Sequence, residues 1–311
     1  MRSLLILSRA EVVKLLKRRL TWVLLVLLVV ILGLRINNVY GHAFDESPEQ
    51  VSPITGLAEV YRQAAVLPGV FERARLSYDW LNIFLILLAA VTVGQEFTWG
   101  TMRTALARGP GRARLLMAKF IALAAAAAFY LLVLWIACGV LGFFTTQGLE
   151  ERVDWSFLDG SFLVQEIAAL ARTWVIIWPV IAFAMLLAVW LRNPGLSINL
   201  MGLVYCLEWM IFASFGLILM FVREITGKDL IEIFTGPFRT LTALIPHYNS
   251  AVVIHWGHPG RLSELDLAML STAEFFNLPS DPWRCMALLL GYGIVALVLA
   301  LLLLRRKDVT T

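Results

Sequence analysis

The long apolar stretches of this chain constrain its fold more than any other feature. A helix needs about 20 apolar residues to cross the hydrocarbon core of a bilayer. Six stretches of the 311-residue sequence reach or approach that length: residues 20–35, 80–95, 117–145, 173–191, 195–222 and 285–304. Of all residues 60% are hydrophobic and only 15% are charged, far from the balance of a soluble domain. We therefore predict an all-α integral membrane protein with six transmembrane helices.

The segments between these stretches alternate between a basic side and an acidic side. The basic side consists of residues 1–19, 96–119, 192–195 and 305–311, and the acidic side of residues 35–79, 150–172 and 223–284. The first set carries 15 Lys and Arg with 3 acids, and the second carries 11 with 18 acids. The positive-inside rule places the basic side in the cytoplasm. We expect a plasma-membrane protein with both termini cytoplasmic, and the net charge of +4 indicates membrane lipid and not nucleic acid.

Short helices are predicted outside the six stretches. Residues 1–19 mix apolar and basic residues, which favours a helix along the membrane interface, with a cytoplasmic extension of the first span as the alternative. A cleaved signal sequence ending near residues 41–43 is a second alternative for this region. On the acidic side we expect short helices around Ile54–Val66, Asp229–Leu244 and Ser263–Phe276. None is large enough to fold alone, so residues 1–311 are expected to form a single transmembrane domain.

The connection between the second and third stretches, residues 96–119, is the most patterned segment on the basic side. It reads EFTWGTMRTALARGPGRARLLMAK, and residues 100–107 can form a short helix that Gly109-Pro110 ends. Trp99, Met102 and Leu106 share one face, so we expect them to pack toward the bundle. The bases expected to meet lipid phosphates are Arg112, Arg114 and Lys119. The alternative is an ordinary basic loop that binds no partner.

Two strings of the basic side carry a family resemblance. Residues 11–22 read EVVKLLKRRLTW and residues 96–103 read EFTWGTMR. The first is similar to the basic helix that leads into the first span of permease subunits of the ATP-binding cassette (ABC) type-2 export family. The second resembles the acidic residue, Gly-Thr and Arg that begin their connection after the second span. The order of elements resembles that family along the whole chain, apart from long outer segments after the first and fifth spans.

The resemblance implies a transport subunit that is not itself an enzyme. Such subunits form homo- or heterodimers, and a cytoplasmic ATPase docks on a coupling helix between the second and third spans. ATP and Mg²⁺ are expected on that partner, since this sequence has no G-x-x-x-x-G-K-[ST] phosphate loop, and no cofactor is expected on this chain. The residues implied in coupling are Glu96, Gly100, Thr101, Arg103, Thr104, Arg108 and Arg112. The apolar spans favour an amphipathic or lipid-like cargo, a drug or a peptide.

Glu208 is the one ionisable residue deep in a predicted span, which makes it a candidate for the substrate path. A hydrogen bond between helices is the simpler interpretation, and a proton-coupled secondary transporter using Glu208 is an alternative function. An intramembrane hydrolase is a further alternative, although no H-E-x-x-H or G-x-S-x-G motif occurs. His255 and His258 have helical spacing, but Gly257 and Pro259 disfavour a helix there, so we predict no metal site. The three cysteines predict no disulfide.

Overall fold

The computed structural model of the protein describes residues 2–45, 57–102, 111–150, 152–207, 210, 244, 246–254 and 281–306. Within these ranges the regular structure is all helical, with no β-strand. The helices are α1 (Arg2–Lys17), α2 (Arg19–Asp45), α3 (Leu57–Ala65), α4 (Phe71–Leu76), α5 (Tyr78–Thr98), α6 (Arg112–Glu150), α7 (Gly160–Leu191), α8 (Pro194–Leu207), α9 (Pro246–Ile254) and α10 (Pro282–Arg306). The predicted all-α class is confirmed for this part of the chain.

Five of the described helices are long and apolar enough to cross a membrane, namely α2, α5, α6, α7 and α10. Five of the six predicted stretches fall within these helices. The remaining stretch, 195–222, begins in α8, which is apolar but shorter than a span. Apart from Met210, residues 208–222 lie outside the described part. The multi-pass architecture therefore stands, and the sixth span stays a prediction.

Three helices extend beyond the predicted spans on the acidic side, namely α2 by ten residues, α6 by five and α7 by 13. The 39 residues of α6 make a helix about 58 Å long, against a hydrocarbon core of about 30 Å. The next helix, α7, begins at Gly160, where the Asp159 side chain accepts a hydrogen bond of 2.7 Å from the Phe162 N–H. The predicted connection 150–172 is therefore shorter than expected: residues 152–159 are non-helical, but residues 160–172 belong to α7, where Glu166 is buried.

The N-terminal helix is separate from the first apolar helix. The chain is non-helical at Arg18, where carbonyls freed by the break find side-chain donors. The Thr21 hydroxyl donates to the Leu15 carbonyl at 2.7 Å, and the Trp22 indole N–H donates to the Leu16 carbonyl at 2.8 Å. The basic segment and the first apolar helix are therefore two successive helices. The interfacial position of α1, and its alternative as a cytoplasmic extension of the first span, stay predictions.

The core forms where α7 packs against α5, α6, α9 and α10, while α2 covers α6. Leu28 and Leu32 of α2 are completely buried in this core, so the first apolar helix packs as part of the bundle. The predicted short helix at 54–66 corresponds to α3. Helix α9 was not predicted. The helices predicted at 229–244 and 263–276 lie outside the described residues, except for Leu244, which is in a turn.

Candidate functional site

One end of the bundle, which we call the α1 end, brings together the segments that the charge counts assigned to the basic side. Glu11 of α1 contacts Lys119 near the start of α6. Arg192, in the turn between α7 and α8, lies 6.0 Å from the ring centroid of Phe97 at the end of α5. Arg112 bonds the last turn of α10. The folded chain thus groups α1, the connection after α5, the α7–α8 turn and the end of α10.

A buried ion cluster holds α1, α5 and α6 together at this end. The Lys119 side chain is 0% exposed, and its ammonium donates to Glu11 Oε2 at 2.8 Å and to Glu96 Oε1 at 2.6 Å. Lys14, whose side chain is largely exposed, donates to Glu11 Oε1 at 2.5 Å. Two carboxylates and two ammonium groups therefore balance, which is the condition for retaining charges in an apolar interior.

Lys119 and Lys14 determine the charge state of Glu11. Burial alone raises the pKa of a carboxyl group, because desolvation disfavours its charged form. The charge and hydrogen bond of Lys119, followed by those of Lys14, outweigh that effect and lower the pKa of Glu11 below its ordinary value of 4.5. Glu11 is consequently ionised at neutral pH, and the ion pairs of the cluster link the three helices.

The chain leaves α5 through a turn that requires glycine. Gly100 has a φ of +67°, in the left-handed region where residues with a Cβ are strained. The Trp99 N–H donates to the Gln95 carbonyl at 2.9 Å and the Gly100 N–H to the Phe97 carbonyl at 3.2 Å. Helical structure resumes at Thr101, whose hydroxyl donates weakly to the Glu96 carbonyl at 3.4 Å. The predicted residues Glu96, Gly100 and Thr101 therefore form one compact junction.

Met102 anchors the start of the connection to its surroundings. Its side chain is 1% exposed and packs in a small cluster with Leu115, Leu7 and Phe97. These neighbours come from α6, α1 and α5 respectively, so the segment that begins at Thr101 is seated on the same three helices as the ion cluster. The prediction that Met102 faces the bundle is confirmed. The same prediction for Trp99 is wrong, because that side chain is 68% exposed.

The other predicted site residues are only partly described. Arg103, Thr104, Arg108 and Glu208 lie outside the described residues, as do Leu106, His255 and His258. Arg112 donates to the carbonyls of Leu304 at 3.0 Å and Arg305 at 3.1 Å, so it caps the C-terminal end of α10, where a cation complements the helix dipole. Its role in coupling stays a prediction.

The expectation that Lys119 meets lipid phosphates was wrong, because this lysine is completely buried between two carboxylates. Sequence reasoning also missed Glu11 as a partner. The contact joins residues 108 positions apart, and a single sequence carries no signal for such a pair. The available local signal was an isolated acid, Glu11, among the bases of residues 1–19, followed by Lys14 at i+3.

The junction contains two buried carboxylates, those of Glu11 and Glu96. Among the described residues no group of three or more His, Cys, Asp or Glu could hold a metal ion. Glu96 Oε2 is buried without a partner in the part of the chain that is described. Residues 101–102 contact all three helices, through the packing of Met102 and the hydrogen bond of Thr101 to the Glu96 carbonyl.

Comparison with known proteins identifies a family whose description assigns no activity. Residues 57–226, more than half of this chain, match the profile of the family described as "Protein of unknown function (DUF2705)". The "Uncharacterized protein YhcI" of Bacillus subtilis (strain 168) is 32% identical over 126 residues, which are 38% of this chain. The chain spans 40% of that relative's length. The range matched by the family contains the Glu96–Lys119 part of the ion cluster but not Glu11.

Proposed function

Since this chain belongs to the DUF2705 family, whose description assigns no activity, we propose from its own features that it is the permease subunit of an ATP-driven exporter of the ABC type-2 kind. In this proposal the chain spans the plasma membrane with both termini in the cytoplasm. It pairs with a second permease subunit and is driven by a separate cytoplasmic ATPase that binds ATP and Mg²⁺. It carries no catalytic residues of its own.

The observation that carries the proposal is the junction around Glu96, Gly100, Met102 and Lys119. The connection that resembles a coupling helix begins directly at this junction, where α1, α5 and α6 are joined by buried ion pairs and by the Met102 cluster. An ordinary basic loop requires none of these contacts. A segment that receives force from a partner does require them, because an unanchored loop would yield without moving the spans.

The proposed coupling step is mechanical. Closure of the ATPase pair displaces the segment that begins at Thr101, and Met102 transfers the displacement to α1 and α6 through Leu7 and Leu115. The Glu11–Lys119–Glu96 contacts keep the three helices together while they move. The spans then reorient as a unit, and a cargo with apolar and polar parts passes between the two permease subunits.

Co-purification tests this function. The tagged full-length chain is expressed in its native host and isolated from membranes in mild detergent, and proteins that accompany it are identified by mass spectrometry. We expect an ATPase with a G-x-x-x-x-G-K-[ST] motif. Arg103→Glu reverses a charge that we assign to the ATPase contact, and we expect it to lower the amount of that ATPase by about tenfold or more.

The matched control is Arg152→Glu, the same charge reversal at an exposed position on the opposite, acidic side. It is expected to retain the full amount of ATPase. Absence of any phosphate-loop protein from the wild-type preparation would contradict the proposal. In that case the proton uptake of liposomes containing wild type is compared with that of liposomes containing Glu208→Gln. Uptake that the substitution abolishes supports the proton-coupled alternative.

A further inference from the structure

A cavity of ≈ 100 Å³ lies between α5, α7, α8, α9 and α10, away from the α1 end. Its wall is mainly apolar, and its most buried residues include Ile176 of α7 and Leu289 of α10, each 1% exposed. Tyr78, which also lines it, is at the first turn of α5, at the end of that helix farthest from Glu96. The cavity is therefore separate from the coupling junction.

The cavity reaches the side of the bundle between α7 and α8. Phe183 of α7 and Val204 of α8 line it, and their side chains are 42% and 49% exposed. An exposed apolar surface on the helices of a membrane bundle meets lipid chains and not water. We call the opening between these two residues the mouth of the cavity.

The mouth lies about halfway through the membrane. Phe183 is eight residues before Leu191, the last residue of α7, which is a rise of about 12 Å. Val204 is ten residues after Pro194, the first residue of α8, which is a rise of about 15 Å. Both helix ends are at the α1 end, where Trp190 is exposed as tryptophans at a membrane interface are. The hydrocarbon core is about 30 Å thick, so the mouth is near the mid-plane, where the acyl chains of the two leaflets end.

The polar groups of the wall are engaged within the protein. Its three tyrosine hydroxyls each donate a hydrogen bond of 2.6–3.0 Å to a protein acceptor, namely Tyr78 to Ser250 Oγ, Tyr205 to Asp79 Oδ1 and Tyr292 to the Leu244 carbonyl. An apolar cavity stays dry, and when it is empty the atoms that line it lose their dispersion contacts. An apolar group that enters from the membrane therefore stabilises the bundle.

We propose that this cavity binds the terminal carbons of an acyl chain of a membrane phospholipid. Benzene fills an engineered apolar cavity of about 150 Å³. At the same volume per carbon atom, a cavity of ≈ 100 Å³ admits about four carbons of a chain. The chain end enters between Phe183 and Val204 from the mid-plane, while the headgroup stays at the membrane surface. The proposal does not depend on ATP-driven export, since it rests on the cavity and its depth alone.

Photo-cross-linking identifies the occupant. The full-length protein is reconstituted in phosphatidylglycerol nanodiscs that contain a small share of phosphatidylglycerol with a diazirine near the last carbon of one chain. After irradiation, adducts are mapped by mass spectrometry of peptides. We expect adducts on Ile176 and Leu289 inside the cavity and also on Ile136, which is 51% exposed on α6 and reports contact with the surrounding lipid. Adducts on Ile136 with none on the two buried residues overturn the proposal.

A second lipid, with the diazirine in the middle of its chain, tests the size of the bound group. A cavity with room for about four carbons admits the chain end and not its middle. Relative to the adducts on Ile136, we expect this lipid to label Leu289 at least about tenfold less than the first lipid does. Equal labelling of Leu289 by the two lipids contradicts the proposal.

Variants connect the labelling to the mouth. Val204→Trp places a larger side chain there and is expected to lower the labelling of Leu289 about tenfold. Leu203→Trp is the matched control, because Leu203 is the neighbouring residue of α8, is 56% exposed and does not line the cavity. It is expected to retain the labelling. Val180→Phe fills the cavity from within and provides a second variant. Unchanged labelling of Leu289 in either folded cavity variant contradicts the proposal.

Discussion

Lys119 carries its charge in a place where water does not reach, and the two carboxylates around it make that possible. Removing one member of a buried ion pair leaves an uncompensated charge, which costs much more than the intact pair contributes. Substitution of Lys119 is therefore expected to destabilise the α1 end by more than the loss of one side chain's packing would.

We predict that Lys119→Met destabilises the protein by about 3–5 kcal/mol, because Glu11 and Glu96 then lose the buried cation between them and keep only the largely exposed Lys14. The measurement is unfolding by sodium dodecyl sulfate in mixed micelles, followed by circular dichroism. Arg114→Met, on the same helix but exposed, is the control and is expected to change little. Adding Glu11→Gln and Glu96→Gln to Lys119→Met should restore most of the stability. A single variant as stable as Arg114→Met contradicts the buried-pair account.

The lowered pKa of Glu11 predicts a pH dependence with a definite sign. Because its pKa in the folded protein lies below the ordinary value of 4.5, the ionised form stabilises the fold fully above pH 4.5. This contribution is lost as the pH falls through the folded pKa. We expect wild type to melt at a higher temperature than Glu11→Gln at pH 7, and the difference to shrink below pH 4.5. A difference that grows on acidification contradicts this assignment.

The residue scale also shows where sequence reasoning ends. Glu96, Gly100 and Thr101 were implied by the resemblance that the short string 96–103 carries, and the positive φ of Gly100 was not predicted. Lys119 was assigned to lipid because it lies beside an apolar run on the basic side. Its burial depends on Glu11, a contact over 108 positions that no local pattern contains.

At the scale of helices, close approach of backbones sets the packing. A Cβ built on Gly94 of α5 would lie 2.8 Å from Pro194 Cα and 2.9 Å from Pro194 N, at the start of α8. Both neighbours are backbone atoms, so relief requires movement of a whole helix. This contact determines how closely α5 and α8 approach beside the α1 end.

We predict that Gly94→Ala destabilises the protein by about 1–3 kcal/mol through overpacking. Gly202→Ala is the matched control on α8, because a Cβ there meets no atom within 4 Å and alanine favours helix over glycine by up to about 1 kcal/mol. Detergent unfolding of both variants beside wild type is the measurement. If the two substitutions have the same effect, the close α5–α8 contact does not exist in the membrane.

Helix existence was predictable because a run of apolar residues indicates a span wherever it occurs. The length of each helix was harder to predict. Helix α7 starts at Gly160 and not at 173, because the charged residues that bounded the predicted span lie within the helix. Glu166 is 3% exposed there. Burial of a charge depends on neighbouring helices, which a hydropathy pattern does not describe.

At the scale of the whole molecule, the described contacts divide the bundle into two ends of different charge. The α1 end holds the basic segments, and the opposite end holds Glu150, Asp154 and Asp159 near the start of α7. We expect the α1 end to be cytoplasmic by the positive-inside rule. Charge counts predicted this grouping because the rule acts on segments and needs no tertiary contact.

Cysteine labelling of intact cells tests the orientation. After Cys138, Cys206 and Cys285 are replaced by alanine, Ser156→Cys should react with a membrane-impermeant maleimide added outside. Arg114→Cys should react only after the cells are opened. Both positions are exposed in the folded protein, so access and not burial decides the result. The reverse pattern contradicts the assigned orientation.

The central claim is that an ATPase docks on the segment beyond Met102, and photo-cross-linking tests it most directly. Benzoylphenylalanine is placed at position 103 of the otherwise native chain, and cells are irradiated before the membranes are dissolved. We predict one main adduct, with an ATPase that carries a phosphate loop, and no such adduct when the same group replaces Arg152. Adducts with lipid alone, or with proteins that lack a phosphate loop, would contradict the account of this chain as the permease of an ATP-driven exporter.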